Sequence, residues 1–235
     1  MKLSIIIPAY NELKTLPEIL KKIEAVDLGV EKEIIIVDDG STDGAREYLK
    51  NLTSPITTKI ILQPKNRGKG AALKTGFKNM TGDLAIVQDA DLEYNPKEIK
   101  DVIQPILDGR ADVVFSSRFL GDRPHRVLYF WHYLGNRIIT LGADVFANIN
   151  LTDAESCYKA FRREVLEKID LKEKRFGFEI EIIMKTAHAK FRIYEVGVSY
   201  SGRTYAEGKK IRAKDGFRAL WCILKYGLIN KIVRI

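Results

Sequence analysis

The sequence predicts an α/β fold, with a mostly parallel central sheet that is covered by helices on both faces. Across residues 1–117, short apolar runs typical of buried strands alternate with segments whose apolar residues recur at helical spacing. Each run ends in a polar, acidic or glycine-rich cluster, and parallel sheets carry their functional residues at that end of the strands. The chain shows no internal repeat and no clear linker, so we expect its 235 residues to form one domain.

The first half of the chain is predicted to supply most of the sheet. Its strands contain almost uninterrupted apolar residues, which is typical of strands that are buried on both faces. The predicted strands are residues 3–9, 33–37, 59–62, 84–87 and 112–116. The predicted helices are residues 13–23, residues 45–52, a helix that residues 66–70 open and that runs to about residue 80, and residues 96–107.

Beyond residue 117 the pattern is weaker. Helices are predicted at residues 153–168 and 177–189. Residues 192–200 alternate enough to predict a strand, which we expect to be a smaller antiparallel edge of the sheet. Residues 118–137 mix basic and aromatic side chains without a clear period.

Composition limits the possible partners. A formal net charge of +8 and a pI near 9.3 predict an anionic partner, which is a nucleic acid, a phosphorylated substrate or an anionic membrane surface. Nucleic acid is disfavoured because the basic residues after position 118 form no single helical stripe. Cys157 and Cys222 match no metal-binding spacing, and no signal peptide is apparent, so we expect a reduced, cytoplasmic protein. No apolar run approaches the roughly 18 residues that a membrane span requires.

A pair of carboxylates follows the fourth predicted strand. Asp89 and Asp91 are two residues apart, and in an extended segment such residues project to the same face. Carboxylates held that close repel each other unless a cation or a proton lies between them, and hard oxygen ligands suit Mg²⁺ or Mn²⁺. The alternative is a solvated turn before a helix, because Asn95 and Pro96 form a good helix start.

Two further loops are candidates for ligand binding. Asp39 follows the second strand and can accept hydrogen bonds from a base or from ribose hydroxyls, whereas we expect Asp43 to cap the next helix. The segment Gly68-Lys69-Gly70 lacks the spacing of a Walker phosphate loop. Its glycines allow backbone N–H groups near an anion, to which Lys69 adds charge, although a simple tight turn remains the alternative.

The C-terminal segment predicts an amphipathic basic helix. Such a helix can lie in a membrane interface or can pack on the sheet as an ordinary helix, and both readings stay open. The apolar positions are Phe217, Leu220, Trp221, Leu224, Leu228 and Ile232, and the interleaved cations are Lys214, Arg218, Lys225, Lys231 and Arg234.

Four blocks of sequence together resemble the successive motifs of the family 2 glycosyltransferases. They are residues 5–12 (IIIPAYNE), 37–44 (VDDGSTDG), 66–72 (NRGKGAA) and 89–93 (DADLE). Residues 116–119 (SSRF), 135–137 (GNR) and 202–204 (GRT) resemble the subgroup that makes dolichyl- or polyprenyl-phosphate mannose and glucose. The similarity covers roughly residues 1–225.

The resemblance implies a GT-A fold, a nucleotide-diphosphate sugar donor and a divalent metal, Mg²⁺ or Mn²⁺. It also implies a nucleotide-sugar-binding half at residues 1–117, an acceptor half at 118–215 and the amphipathic segment at 216–235. By position, the donor-binding residues are Pro8, Tyr10, Glu12, Asp39, Lys69, Asp89, Ala90 and Asp91, of which the first four would hold the nucleoside.

The same resemblance assigns the reacting groups. Asp89 and Asp91 would work with the metal and the diphosphate, and Glu93 would be a third metal ligand at a place often filled by Gln in the mannose enzymes. The acceptor phosphate would be held by Arg118, Arg137, Arg203 and Lys209. Asp89, Asp91, Arg118 and Arg203 are therefore the expected catalytic residues.

The expected reaction is inverting transfer of a hexose from GDP-mannose or UDP-glucose to a polyprenyl or dolichyl phosphate. A lipid phosphate is already ionised near neutral pH, so it needs positioning and charge neutralisation more than deprotonation. A sugar hydroxyl acceptor would need a general base, for which Glu179 and Glu181 are candidates.

Three alternatives remain at this point. The chain is a family 2 transferase for a soluble glycan, a sugar-phosphate nucleotidyltransferase, or a non-catalytic nucleotide-sugar-binding module. The main hypothesis places the enzyme at the cytoplasmic face of a membrane, held there by direct peripheral contact or by a membrane partner protein.

Overall fold

A seven-stranded sheet forms the centre of the protein in a computed structural model that describes residues 1–56, 58–209 and 213–229. Strand and helix alternate from the first strand to the fifth, as predicted. The strands are β1 (Lys2–Ala9), β2 (Glu31–Asp38), β3 (Thr58–Leu62), β4 (Leu84–Val87), β5 (Val113–Ser117), β6 (Lys159–Arg162) and β7 (Ile193–Gly197).

Helices cover the sheet on both sides. A 3₁₀ turn at Pro96–Glu98 leads into the fourth helix, and a π-helical turn at Lys225–Ile229 follows the eighth. The helices are α1 (Leu16–Ala25), α2 (Ala45–Lys50), α3 (Lys69–Lys78), α4 (Ile99–Leu107), α5 (Phe130–Ala147), α6 (Arg163–Lys168), α7 (Gly177–His188) and α8 (Ala213–Leu224).

The strand order is β3-β2-β1-β4-β6-β5-β7. Every adjacent pair is parallel except the two pairs that β6 makes, with β4 and with β5. The prediction of a mostly parallel sheet with a smaller antiparallel part is therefore confirmed. The strand predicted at residues 192–200 is β7, and its expected antiparallel direction is wrong, because β7 pairs in parallel with β5. Alternation of apolar and polar residues indicates a half-buried edge but contains no information about strand direction.

The predicted helix at residues 153–168 is also wrong in its first part. Residues 159–162 form β6, and only Arg163–Lys168 is helical. Ala160 and Phe161 are fully buried because β6 lies between two other strands. The long helix α5 was not predicted. Its apolar residues Ile138, Leu141 and Val145 are exposed, so the usual pattern of a core-facing apolar stripe is missing.

Burial of most of the strands in residues 1–117 explains why the elements of this half were predicted correctly. Ile5, Ile6 and Ile7 in β1 have no solvent exposure, and the same holds for most of β2. Helix α3 packs very closely on β1, because a Cβ atom on Gly76 would lie 2.3 Å from Ile6 Cγ2. This contact holds the second half of α3 against β1 and β2.

Helix α8 accounts for most of the predicted amphipathic segment, and Leu228 lies in the π turn that follows it. Lys231, Ile232 and Arg234 lie outside the described residues. None of the helices in the described part of the chain is both long and apolar enough to cross a membrane.

Candidate active site

The candidate site lies at the edge of the sheet where β1, β2, β4 and β5 end. Because these strands are parallel, the loops that follow them meet at one edge, as expected for an α/β fold. The carboxylate segment after β4 and Arg118 after β5 are therefore neighbours, although they are far apart in sequence.

Asp39 connects the end of β2 to the loop before α3. Its carboxylate accepts hydrogen bonds from the backbone N–H groups of Arg67 (2.8 Å) and Gly68 (2.7 Å). Burial raises the pKa of Asp39, and these two bonds oppose that effect. Asp43 accepts from Ala45 N–H in the first turn of α2, and also from Leu13 N–H.

Two glycines make this arrangement possible. Gly68 has φ +98°, and a Cβ atom there would lie 2.4 Å from the carbonyl oxygen of Lys174. Gly40 has φ +77°, and a Cβ atom there would lie 2.6 Å from Asn66 N. Both positions combine a left-handed backbone with a close approach to another segment, so only glycine fits.

The other residues expected to hold the nucleoside lie at the same edge. Pro8 is the second-last residue of β1 and pairs with Val37 of β2. Tyr10 is the first residue after β1, and 36% of its surface is exposed. Ala90 is buried, and its carbonyl oxygen accepts a hydrogen bond from Thr15 Oγ1 at 2.9 Å. The half-exposed Tyr10 ring beside the ends of β1 and β2 is well suited to stack on a base.

Lys69 starts a row of alternating charges below this edge. Its ammonium group lies 2.8 Å from Asp89 Oδ1 and 3.1 Å from Glu179 Oε1, and Glu179 Oε2 lies 2.6 Å from Lys159 Nζ. Burial alone would raise the pKa of Asp89, but Lys69 holds it below its ordinary value. The row therefore favours the anionic form of Asp89 next to the start of α3.

Both candidates for a general base, Glu179 and Glu181, are engaged in ion pairs and hydrogen bonds within the protein. Glu179 is paired with two lysines. Glu181 is fully buried and accepts hydrogen bonds from the backbone N–H groups of Lys172 and Glu173 and from Lys185 Nζ. Glu181 therefore holds the loop before α7 in place.

A second cluster gathers three carboxylates around Arg203. The guanidinium group lies 3.2 Å from Glu12 Oε2, 2.5 Å from Asp91 Oδ2 and 2.8 Å from Glu93 Oε1. Burial, together with the nearby Asp89 and Glu93 charges, raises the pKa of Asp91 to about 7 despite Arg203. We call Glu12, Asp91, Glu93 and Arg203 the Arg203 cluster.

The Arg203 cluster has the right chemistry for a divalent cation but not a ready-made set of ligands. Carboxylate oxygens are preferred ligands of Mg²⁺ and Mn²⁺, and the cluster has three carboxylates for one guanidinium group. Among the described residues, no three His, Cys, Asp or Glu side chains are grouped so as to hold a metal ion. Asp89 contacts Lys69, and Glu93 contacts Arg203 and Tyr200.

Arg118 forms a separate, buried pair with Asp153. Two nitrogens of the guanidinium donate to the two carboxylate oxygens at 2.6 and 2.8 Å, and Asn136 Nδ2 donates to Asp153 Oδ1 at 3.0 Å. One guanidinium group and one carboxylate give a pair without net charge. Tyr200 joins this pair to the Arg203 cluster, since its ring lies 5.0 Å from the Arg118 guanidinium and its hydroxyl donates to Glu93 at 2.8 Å.

The remaining predicted cations differ in position. Lys209 is half-buried, and burial lowers its pKa while the charges of Glu93 and Arg118 act on it in opposite directions. Arg137 is exposed on α5, whereas its neighbour Asn136 is buried and faces Asp153. The structure thus brings Arg118, Arg203 and Lys209 together and leaves Arg137 on the outer side of the helix.

Several residues of the site were not predicted from the sequence: Asn136, Asp153, Lys159 and Tyr200. Asp153 and Lys159 fall in the segment wrongly predicted as a helix. A buried lysine such as Lys159, with 0% exposure, requires a carboxylate partner, but nothing local in the sequence identifies Glu179 as that partner.

Comparison with known proteins decides the family. A family model described as "Glycosyl transferase family 2" matches residues 4–170. The chain belongs to glycosyl transferase family 2. It is 32% identical over 240 residues to the dolichol-phosphate mannosyltransferase of Pyrococcus furiosus, covering all of this chain and 67% of that protein. It is 29% identical over 210 residues to the undecaprenyl-phosphate 4-deoxy-4-formamido-L-arabinose transferase of Aeromonas hydrophila, covering 88% of this chain and 62% of that protein. The chain therefore spans about two thirds of the length of these relatives.

Solved structures confirm the fold of this family 2 glycosyltransferase. The glucosyl-3-phosphoglycerate synthase of Mycobacterium tuberculosis, solved with Mn²⁺, UDP and glucosyl-3-phosphoglycerate, superimposes with a TM-score of 0.71 at 19% identity. The alignment covers 96% of this chain and 80% of that chain. The same enzyme solved with UDP alone gives a TM-score of 0.73 at 21% identity. The expected GT-A fold is thus confirmed.

Proposed function

We propose that this family 2 glycosyltransferase moves a hexose, with inversion, from a nucleotide-diphosphate sugar to a polyprenyl phosphate. One observation carries the proposal: a carboxylate-rich cluster suited to a donor diphosphate and its cation lies beside a group of cations suited to a second phosphate. Tyr200 contacts both. The relatives from P. furiosus and A. hydrophila are named for transfer to dolichol phosphate and undecaprenyl phosphate.

The donor would lie along the ends of β1, β2 and β4. Pro8, Tyr10, Glu12 and Asp39 would hold the nucleoside, and the diphosphate would lie over Lys69 and the segment Asp89-Ala90-Asp91. Lys69 reaches this segment because it is the first residue of α3, where backbone N–H groups also favour an anion.

Mg²⁺ or Mn²⁺ would be held by Asp89 and Asp91, with Glu93 as a possible third ligand. When bound, such an ion supplies positive charge that stabilises the leaving nucleoside diphosphate. Its presence would also relieve the repulsion between Asp89, Asp91 and Glu93 that is visible in the raised pKa of Asp91.

The acceptor phosphate would be held on the other side of the sugar. Arg118 and Arg203 present planar guanidinium groups, which suit phosphate oxygens, and Lys209 adds a third cation. These residues neutralise and orient an oxygen that is already ionised, so that it attacks the anomeric carbon in line with the leaving group. Arg137, exposed on α5, would meet the lipid headgroup nearer the membrane surface.

Contact with an anionic membrane is part of the proposal. Helices α5 and α8 pack together closely, with a Cβ atom on Gly142 lying 3.1 Å from Ile223 Cδ1, and both expose apolar residues. Arg137 on α5 and Lys214 on α8 are also exposed, as expected for helices in an anionic interface. The exposed apolar residues are Trp131, Ile138, Leu141, Val145, Phe217, Leu220, Trp221, Leu224 and Leu228. We call this set the α5–α8 surface.

The reaction is tested by a screen of donors and acceptors. Purified protein with Mn²⁺ or Mg²⁺ receives GDP-mannose or UDP-glucose, with and without a short polyprenyl phosphate in detergent, and release of nucleoside diphosphate is followed. We expect release that requires the lipid phosphate. Release only with a water-soluble glycan would instead support a soluble transferase, and consumption of a nucleoside triphosphate would support a nucleotidyltransferase.

Two variants test the assigned roles. Asp91→Ala should abolish turnover while leaving the fold intact, with the exposed Asp122→Ala as a control of normal activity. Arg203→Ala should raise the KM for polyprenyl phosphate far more than the KM for the donor, with Arg110→Ala at the opposite edge as the control. An equal rise in the KM for the donor and the KM for polyprenyl phosphate in Arg203→Ala would contradict the acceptor role of Arg203.

Membrane contact is tested by flotation with vesicles that contain an anionic lipid. Leu141→Ser and Trp221→Ser together should weaken binding by roughly 10-fold or more, because each exposed apolar side chain loses its transfer free energy. Tyr194→Ser, at the sheet edge, is the matched control. Unchanged flotation would mean that α5 and α8 contact a partner protein or nothing at all.

A further inference from the structure

The loop at residues 153–158 lies over the carboxyl ends of β4 and β5. It leads directly into β6, whose first residues pair with those strands as Lys159 with Phe115 and Ala160 with Ile86. The loop is held on both sides. Cys157 N–H donates to Tyr94 Oη at 3.1 Å, and the Tyr158 hydroxyl donates to Gln88 Oε1 at 2.8 Å.

Ser156 and Asp153 complete this attachment. The Ser156 hydroxyl donates to the carbonyl oxygen of Ser116, and Asp153 accepts from both the backbone and the side chain of Arg118. The position of the residue between them, Glu155, is therefore set by the scaffold on either side of it.

Glu155 has an unusual environment. Its Oε1 atom is buried and has no hydrogen-bond partner among the described residues. The Oδ1 atom of Asn136 is in the same state, and both residues donate a hydrogen bond to the same oxygen of Asp153, from Glu155 N–H at 3.3 Å and from Asn136 Nδ2 at 3.0 Å. A buried acceptor without a donor lowers stability, so two of them beside one carboxylate indicate that a ligand supplies the missing donors.

The charges around Glu155 locate it between the two halves of the site. Burial, followed by the charge of Glu179, raises the pKa of Glu155 to about 7. The cations Lys159 and Arg118 act in the opposite direction. Glu179 leads through Lys69 to Asp89, on the side proposed for the donor diphosphate. Arg118 is on the side proposed for the acceptor phosphate.

A transferred hexose must lie between its leaving diphosphate and the attacking acceptor. Glu155 N–H donates to Asp153, which is the partner of Arg118. The next residue, Ser156, accepts a hydrogen bond from Lys159, which is the partner of Glu179. Glu155 therefore lies between those two sides. We propose that Glu155, with Asn136 beside it, binds hydroxyl groups of the donor hexose and thereby contributes to the choice of sugar. This inference rests on the proposed function, because it needs a nucleotide sugar at the ends of β4 and β5.

The chemistry of the two residues fits sugar hydroxyls. A hydroxyl group both donates and accepts a hydrogen bond, so it can donate to the unpaired oxygen of Glu155 or Asn136. A site built to hydrogen-bond a hydroxyl discriminates strongly against an analogue that lacks it, because the buried acceptor is then left unpaired. The residue would therefore act on sugar identity and not on recognition of the base.

Binding measurements test the inference without requiring turnover. The affinities of the nucleoside diphosphate, the matching nucleotide sugar and a series of deoxy-sugar analogues, each lacking one hydroxyl, are measured by calorimetry for wild type, Glu155→Gln and Glu155→Ala. The exposed Glu167→Gln is the matched control, and thermal unfolding confirms that each variant is folded.

We expect both Glu155 variants to bind the nucleoside diphosphate within about twofold of wild type. Glu155→Ala should bind the nucleotide sugar roughly 10-fold or more weakly, and Glu155→Gln, which keeps an acceptor oxygen, should lose less. One deoxy analogue should bind wild type weakly and lose nothing further in Glu155→Ala, which identifies the hydroxyl that Glu155 binds. Glu155 variants with wild-type affinity for every sugar nucleotide would overturn the inference. If wild type binds the sugar nucleotide and Glu155 matters, but polyprenyl phosphate is not an acceptor, the proposed function falls and the sugar site stands.

Discussion

Arg118 and Arg203 lie at the same edge of the sheet but are balanced in different ways. Arg118 faces one carboxylate, the fully buried Asp153, so its pair carries no net charge. Arg203 faces the carboxylates of Glu12, Asp91 and Glu93, so its cluster keeps an excess of negative charge. The raised pKa of Asp91 and the lowered pKa of Asp153, which burial opposes but Arg118 enforces, reflect this difference.

The difference separates a part of the site with balanced charges from a part with an excess of negative charge. The Arg118 pair needs no further charge and connects β5, α5 and the loop before β6. The Arg203 cluster needs a proton or another cation, and its arginine is supplied by a loop near the end of β7. We therefore expect loss of the Arg118 pair to lower stability as well as acceptor binding, and the Arg203 cluster to respond to metal and pH as well as substrate.

The largest effect expected from this comparison is on stability. Asp153→Asn leaves Arg118 buried without a counter-charge, and breaking a buried pair in this way typically costs about 3–5 kcal/mol. Asp91→Asn should cost far less at pH 8, because it removes a carboxylate that is already poorly stabilised. Urea unfolding of both variants measures the difference. Equal losses would mean that the two arginines are not balanced differently.

Metal should act on Asp89 and the Arg203 cluster and not on the Arg118 pair. If Mn²⁺ binds only the folded protein, a concentration 100 times its Kd raises the free energy of unfolding by about 2.7 kcal/mol. We expect this increase in wild type and its loss in Asp91→Asn, measured by thermal unfolding with and without Mn²⁺. The control is Glu167→Gln, which should respond as wild type does. A full metal response in Asp91→Asn would remove Asp91 from the metal site.

The pH dependence of stability should sharpen the comparison further. The pKa of Asp91 is about 7 in the folded protein and near 3.8 when unperturbed, so between these values the folded state binds a proton that the unfolded state does not. Stability therefore falls as pH rises from about 4 to 7, by roughly 2 kcal/mol after allowance for coupling to its neighbours. Glu155, whose pKa is also raised to about 7, contributes to the same window, so Asp91→Asn should reduce the slope without abolishing it, as followed by urea unfolding at successive pH values. An identical slope in both proteins would place the excess charge elsewhere.

Local sequence predicts where the carboxylates of this site lie but does not predict which residues pair with them. Asp39, Asp89 and Asp91 were predicted because each follows a strand whose apolar run is visible in the sequence. The partners that set their behaviour are distant: Lys69 reaches Glu179 across α3 and α7, and Arg203 comes from the loop after β7. Such pairings depend on how the helices and strands assemble, which residue patterns do not reveal.

The second half of the fold was harder to predict for a related reason. Strand β6 contains the buried Lys159, so it lacks the continuous apolar run of β1 or β2. Helix α5 faces the protein through residues such as Asn136, Thr140 and Ala143 and exposes its larger apolar side chains. Both elements break the usual rule that apolar residues lie inside, and both contribute to the site or to the α5–α8 surface.

The smallest effect expected is at Tyr200, which contacts both arginine environments. Tyr200→Phe removes the hydroxyl that donates to Glu93 but keeps the ring under the Arg118 guanidinium. Loss of this one hydrogen bond should cost about 1 kcal/mol of stability. Because Glu93 then loses a donor while Arg118 keeps its contact, the variant should change the response to Mn²⁺ and leave the effect of Asp153→Asn unchanged.

A double-mutant cycle measures this separation. The hydroxyl that Tyr200→Phe removes donates to Glu93, whereas the ring that it keeps contacts Arg118. The changes in the free energy of unfolding caused by Tyr200→Phe and Asp153→Asn should therefore add in the double variant within about 0.5 kcal/mol. Tyr200→Leu is the contrasting variant, because it also removes the ring and should couple to Asp153→Asn. Strong coupling already in Tyr200→Phe would show that the hydroxyl links the two arginines energetically. In that case the neutral pair and the carboxylate-rich cluster would have to be treated as one charge network.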